Sequence, residues 1–324
     1  MSVAYSYVKE GEYWEKEAGD FLLNWLDNFD FLTVYTSGST GDPQSIKLDK
    51  QHVINSAFNT GNWFRLPEVC DALCCLPLSY IAGKMMMVRA IALGWQLDII
   101  KPSSTPFHDL RKRYDFTALT NQQVLNSIDH IHKSKKIIIG GGAVASNLAD
   151  LLKNKHTKAY HTYGMTETCS HIAVRKIHPV YEEYFHCMNE VHVSLDELGC
   201  LVVNAPELSS ETLITNDLAE LNDKFHFKIL GRIDQVINAG GVKVHPQEIE
   251  NQLSKELLGR FFVYGKDNEA LGQEVALVIE GAAGDAPSFK LLDKFQTPKS
   301  VVFVDSFLET HTGKVDRKAV IKNL

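Results

Sequence analysis

Between residues 30 and 153 strand-like and helix-like segments alternate, and this pattern restricts the fold more than any other feature of the chain. Short β-type runs occur at 30-DFLTVYT, 72-ALCCLP, 96-QLDII, 116-FTALT and 136-KIIIGG. Helical patterns lie between them, near 51–61, 81–93, 121–132 and 144–153. Such alternation predicts an α/β architecture with a mainly parallel sheet. Upstream, Trp14, Ala18, Phe21, Leu22, Trp25 and Phe29 recur at helical spacing over 13–29, which predicts an amphipathic helix with its aromatic stripe in the core. Downstream the runs 191-VHVSL, 200-CLVVNA, 212-TLITND and 225-FHFKILG are shorter and read as a small β segment. After Gly231 one helix is clear, 246-PQEIENQLSKEL, with Pro246 suited to its first turn. Strands at 261-FFVYG, 274-EVALVIE and 300-SVVFVD complete a small α+β C-terminal domain. The expected division is a large α/β domain over 1–233 and a small mobile domain over 234–324.

With 324 residues, 44% hydrophobic and 23% charged, the chain can bury a core of ordinary size. Its net charge of −7 argues against a nucleic acid or an anionic membrane as main partner, while leaving room for a local nucleotide site. The six cysteines, Cys70, Cys74, Cys75, Cys169, Cys187 and Cys200, form no C-x-x-C pair. They read as reduced thiols acting as small apolar residues, not as a zinc site or a disulfide scaffold. The stretch MSVAYSYVKEGEYWEKE has no apolar core of a leader, and no apolar run approaches the ~18 residues of a membrane span. The expected location is cytoplasmic.

One loop, 35-YTSGSTGDPQSIKL-48, concentrates glycines and hydroxyls directly after an apolar run. Glycine permits positive φ and close backbone approach, successive N–H groups can form an anion nest, and hydroxyls add donors. No Lys-Ser/Thr pair follows Gly41, so this is not the G-x-x-x-x-G-K-S/T phosphate loop. Taken alone, its residues leave phosphate binding and a plain surface turn both open.

Three further motifs stand downstream in a fixed order: 163-YGMTE-167, 231-GRIDQVINAGGVKVHPQEIE-250 and 312-TGKVDR-317. With the opening loop they resemble the adenylate-forming superfamily of acyl-CoA synthetases, adenylation domains and luciferases. That resemblance implies ATP-dependent activation of a carboxylate to an acyl-adenylate, followed by transfer to the thiol of coenzyme A. It implies that Thr36, Ser37, Gly38, Ser39, Thr40 and Gly41 hold the β- and γ-phosphates. Tyr163 and Gly164 would bound the adenine, with Tyr163 stacking on it, Thr166 would contact phosphate, and Glu167 would ligate Mg2+. Gly141, Gly142 and Ala143 match the segment lining the adenine pocket. Asp217 would take the ribose hydroxyls and Arg232, fifteen residues on, ribose or phosphate. Asp234 and Gln235 match the hinge, Lys314 the catalytic lysine that bridges carboxylate and α-phosphate, and Gly240-Gly241 the thiol tunnel. A lysine so remote in sequence implies a small domain that swings between the half-reactions. The chain departs from the pattern at Gln44, usually lysine, with Lys47 as the nearby substitute, and at Asn216, usually glycine. The loop's early position implies that most of the family's usual N-terminal portion is absent; whether apolar surface is left for a second copy to cover, as in a homodimer, the sequence leaves open.

The acid is read from 76-LPLSYIAGKMMMVRAIALGW and 163-YGMTETCSHIA, which resemble the o-succinylbenzoate–CoA ligases of menaquinone biosynthesis within that superfamily. Ser79-Tyr80 departs from their usual aromatic-His pair. An aromatic dicarboxylate needs a cationic or donor partner for its second carboxylate, and Arg89, Lys84, His161 and His171 are the candidates. Another aryl- or acyl-CoA ligase, and a non-catalytic nucleotide-binding homologue, are the alternatives.

Overall fold

The structure, a computed structural model, describes residues 12–35, 44–144, 147–254, 256–257, 259–284, 287–309 and 315–324. These divide into two compact units, one drawn from 1–144, 151–191 and 205–211, the other from 145–150, 192–204 and 212–324.

The first unit opens with helix α1 (Tyr13–Trp25), started by reciprocal capping between Glu12 and Glu15. It stops short of the expected residue 29, because Asp27 turns back to accept the Phe29 N–H at 3.0 Å. Strands β1 (Phe31–Tyr35) and β2 (Ser45–Asp49) pair as an antiparallel two-stranded sheet of their own. Asp49 then caps α2 (Lys50–Trp63) by accepting the Gln51 and His52 N–H groups.

Next come β3 (Asp71–Cys74), α3 (Ile81–Leu93), β4 (Gln96–Ile99), β5 (Tyr114–Thr120), α4 (Asn121–Asn126), β6 (Ser134–Gly140) and α5 (Leu148–Leu152), whose first three residues count with the second unit. Strands β7 (Lys158–Gly164), β8 (His171–His178) and β9 (Phe185–Cys187) follow. The order across this sheet is β9-β8-β7-β6-β5-β3-β4. The run from β7 to β4 is parallel, as the alternation predicts. Its central strands are near-continuous apolar runs because both faces are covered. The pairs β7–β8 and β8–β9 are antiparallel, an extension the strand patterns did not anticipate. His161, Thr162, Arg175 and Lys176 break the apolar periodicity there. Helix α4 is half its expected length, and residues 131–133 form a separate 3-10 turn. Asn126, Asp129 and His130 are poor helix formers at that point. All six cysteines are unpaired and buried.

In the second unit, β10 (His192–Leu195), β11 (Cys200–Asn204), β12 (Leu213–Asp223) and β13 (His226–Arg232) make an antiparallel meander, the small β segment expected. Strands β14 (Ile237–Ala239) and β15 (Val242–Val244), helix α6 (Pro246–Leu253), β16 (Phe261–Asn268), β17 (Gly272–Glu280), β18 (Ser300–Val304) and helix α7 (Arg317–Lys322) follow. The sheet runs β15-β14-β17-β16, with β18 parallel to β17. Ile249 and Leu253 of α6 pack with Ile237, Val263, Val275 and Leu277. The β14–β15 hairpin and α7 lacked a clear periodicity in the sequence because each is too short to show one. The boundary expected at 233/234 falls inside the second unit.

Candidate active site

The motif 163-YGMTE-167 ends β7 and enters a one-turn 3-10 helix, Thr166–Thr168. Buried Thr168 locks this turn: its hydroxyl accepts the Met165 N–H at 3.1 Å and lies 2.7 Å from the Ser170 carbonyl. A Cβ on Gly164 would stand 2.2 Å from that same carbonyl, so only glycine fits. The turn therefore presents Glu167 exposed and Thr166 half-buried beyond the strand end. The Tyr163 ring lies against Phe185, centroids 5.9 Å apart.

Gly141-Gly142-Ala143 follows β6, and the glycines hold φ values of 85° and 157°. His161, on the neighbouring β7, meets the Gly142 carbonyl through Nε2 at 3.0 Å. Its Nδ1 accepts from Arg175 Nε at 3.2 Å, so the proton sits on Nε2 and His161 is the donor to Gly142. Burial, and then the Arg175 charge, push its pKa down to about 3. Both ring nitrogens are thus engaged within the protein.

Among the described residues of this unit Arg89, on α3, is the largest fully buried side chain, at 1% exposure. Its Nε donates to Thr60 Oγ1 at 3.2 Å, Nη2 to Ser170 Oγ at 2.9 Å, and Nη1 points at Met86 Sδ at 3.7 Å. The Thr60 hydroxyl spends its proton on the Ser56 carbonyl at 2.9 Å, so it faces Arg89 and His171 as an acceptor. His171 therefore carries its proton on Nε2 and takes a hydrogen bond on Nδ1 from Ser170, 3.2 Å away. Burial, with Arg89 adding to it, drives the His171 pKa well below its ordinary value, so the ring is neutral. Among the described residues, no carboxylate makes a hydrogen bond or ion pair with Arg89. Burial lowers the guanidinium to about 9, which leaves it charged at neutral pH. A desolvated cation surrounded by neutral acceptors favours an incoming anion.

Lys84, five residues earlier on α3, is instead tied to the Leu78 carbonyl at 2.6 Å, and burial lowers its pKa. Gly83 is required beside it, since a Cβ would lie 2.2 Å from the Pro77 carbonyl oxygen. Glu17 of α1 accepts the Leu78 and Ser79 N–H groups and fixes the same loop. Gln44 is exposed, and Lys47 Nζ rests over the Phe31 ring at 4.3 Å. Residues Thr36, Ser37, Gly38, Ser39, Thr40, Gly41 and Lys314 lie outside the described residues.

In the second unit Asp217 and Arg232 are partners across β12–β13, with Nη1 and Oδ1 3.8 Å apart. Arg232 Nε also donates to Asp234 at 3.0 Å, so one guanidinium joins the expected ribose and hinge carboxylates. Thr215 Oγ1 accepts the Asp217 N–H at 3.0 Å and orients this segment, while Asn216 is exposed. Gln235 closes the 3-10 turn Ile233–Gln235. Gly240 and Gly241, φ 63° and 85°, form the two-residue turn between β14 and β15. Among the described residues no group of three His, Cys, Asp or Glu side chains converges to hold a metal.

The family model for AMP-binding enzymes matches residues 10–205, more than half of the chain. The chain belongs to that family. It is 30% identical to the acyl-CoA synthetase (AMP-forming)/AMP-acid ligase II-like protein of Dyadobacter fermentans, covering 96% of this chain and 94% of that one, with a TM-score of 0.64. It is 23% identical to the 2-succinylbenzoate–CoA ligase of Listeria monocytogenes, over 97% of this chain and 74% of that protein. It shares the fold of the O-succinylbenzoate coenzyme A synthetase of Bacillus subtilis, solved with ATP and magnesium ion: TM-score 0.76, 20% identity, 88% of this chain and 68% of that one.

For a member of the AMP-binding family, the first unit gathers two of the expected clusters on one sheet. Ser170 joins the Arg89 network to the YGMTE turn, and Phe185 joins Tyr163 to His161. The sequence signals did not single out Thr60, Ser170, Arg175 or Phe185. Ser170 stands in the run 163-YGMTETCSHIA, three residues after the YGMTE motif ends, and that nearness is the signal that could have found it. Among the described residues no helix is long and apolar enough to cross a membrane.

Proposed function

We propose that the chain is an AMP-forming acid–CoA ligase whose acid is o-succinylbenzoate, the acid activated in menaquinone biosynthesis. The observation that carries the choice of acid is Arg89, a buried cation with only neutral partners among the described residues, at the matching position of 76-LPLSYIAGKMMMVRAIALGW. The second, aryl carboxylate of the substrate would supply its counter-charge, displacing half-buried Ser170 from Nη2. The carboxylate to be activated then faces the α-phosphate of ATP, where two anions must meet and positive charge is required.

In this reading the 36–41 loop grips the β- and γ-phosphates, Tyr163 and the Gly141–Ala143 segment take the adenine, and Asp217 with Arg232 takes the ribose. Lys314 delivers the positive charge at the reacting atoms. Exposed Glu167 suits a hard cation, which needs one protein carboxylate when phosphate oxygens complete its shell. Magnesium held there would neutralise phosphate charge. The Gly240-Gly241 turn would replace the lysine loop in the second half-reaction, turning about Asp234 and Gln235. Support comes from the likeness to the Listeria and Bacillus ligases and from the neutral shell around Arg89.

The deciding experiment is an acid panel scored by CoA-thioester formation with ATP and magnesium. Thioester from o-succinylbenzoate, with benzoate at least about a hundredfold slower, is expected. Equal rates with benzoate would remove the choice of acid. Nucleotide binding without turnover of any acid would establish the non-catalytic alternative.

A further inference from the structure

Two walls of the proposed adenine pocket rest on one partly buried cluster. Arg175, on β8, donates from Nε to His161 Nδ1 at 3.2 Å and from Nη1 to the Glu183 carbonyl at 3.1 Å. Its guanidinium carbon also lies 4.8 Å from the Phe185 ring centre and 5.8 Å from that of Tyr181. Phe185 in turn meets His161 edge-on at 5.0 Å and the Tyr163 ring at 5.9 Å. His161 donates from Nε2 to the Gly142 carbonyl at 3.0 Å. Gly142 and its neighbour Gly141 hold a backbone conformation that nothing in their own side chains stabilises.

A neutral imidazole has one N–H, and two tautomers of similar energy. Only the Nε2–H form donates to Gly142. Arg175 is a permanent donor aimed at Nδ1, which forbids the other form. The Gly142 carbonyl likewise accepts only from that form, so both neighbours hold the proton on Nε2, and removing Arg175 takes away one of two restraints on the ring together with the cation beside Phe185. We infer that Arg175 and His161 are positioning residues for adenine: Arg175 holds the imidazole ring in place, His161 pins the Gly141–Gly142 turn, and Phe185, clamped between them, sets the Tyr163 ring. This assigns His161 to the nucleotide side of the site, away from the acid. It also gives Arg175, which matches no motif, a part in recognition. The inference rests on the adenine assignment proposed above.

The test is ATP and GTP binding by calorimetry, without any acid, on His161→Phe, His161→Gln and Arg175→Met. Gln places an amide N–H near the position of Nε2 and is expected to bind ATP within about twofold of the unaltered chain. His161→Phe and Arg175→Met are expected to bind ATP about tenfold more weakly, the share of one lost hydrogen bond, and to lose preference over GTP. Nitrogen-15 NMR of the histidines is expected to show the Nε2–H form at His161 in the unaltered chain. Melting curves confirm that each variant is folded. Unchanged ATP affinity and preference in folded His161→Phe would overturn the inference, as would unchanged ATP affinity in folded Arg175→Met or an Nδ1–H form at His161 in the unaltered chain. If the unaltered chain binds no ATP, the proposed function fails and takes this inference with it. If it binds ATP and all three variants match it, the inference alone fails.

Discussion

Arg89 shows how a single residue separates this site from ordinary core packing. A guanidinium taken out of water without a carboxylate is costly, and three uncharged contacts only partly offset that cost. Arg89→Met is therefore expected to keep or raise the melting temperature while lowering kcat/KM for o-succinylbenzoate by at least about a hundredfold, with ATP affinity unchanged. A large loss of stability would mean that Arg89 is structural. The histidines give a second prediction. His161 in the fold takes a proton only near pH 3, against 6.5 for an ordinary histidine, and His171 is shifted in the same direction. The unfolded chain binds the extra protons between those values, so these two residues contribute stability that is full above about pH 6.5 and is lost as the pH falls. His161 alone accounts for about 2 kcal/mol between pH 6.5 and 5, at roughly 1.4 kcal/mol per pH unit. Urea midpoints at pH 5 and 7.5 are expected to differ less in His161→Gln than in the unaltered chain.

Elements are joined at contacts where one atom more would not fit, or one charge less would leave a partner stranded. Helix α3 runs over the Leu76–Pro77 backbone so closely that only Gly83 is accommodated. Gly83→Ala is expected to cost about 2–3 kcal/mol and to lower the melting temperature, because backbone rather than a flexible side chain must move. In the second unit Glu250, the last acid of 246-PQEIE, is 8% exposed. It accepts the Val263 N–H at 2.8 Å and pairs with Arg317 at 2.8 Å, tying α6 and β16 to the start of α7. Arg317 lies three residues after Lys314, and its guanidinium sits 5.3 Å from the Phe262 ring centre. Glu250→Ala strands both a buried N–H and a half-buried cation, and a loss of about 2–3 kcal/mol in chemical denaturation is expected.

For the whole molecule, the proposed alternation of the small domain makes a prediction that no single contact does. Lys314→Ala is expected to reduce pyrophosphate exchange by about a hundredfold or more, while thioester formation from preformed acyl-adenylate stays within a few-fold. Equal loss in both half-reactions would reject the alternation. The chain by itself determined its fold class, its family and the order of its motifs. Strand and helix periods repeat over enough residues to be read from 30 to 153, and glycines at Gly141, Gly164 and Gly240 mark backbone that no other residue fits or favours. It did not determine β7 and β8 as strands, because His161 and Arg175 put polar atoms where a buried strand is expected to be apolar. Tertiary structure alone decided what those polar atoms do. Lys84, His161, His171 and Arg89 were equivalent as letters, each a donor near the site. Folding spends Lys84 on Leu78 and His161 on Gly142, neutralises His171 by burial, and leaves Arg89 with no carboxylate among the described residues. The reason is physical: a period survives in one dimension, but burial and hydrogen-bond partnership exist only once distant segments meet.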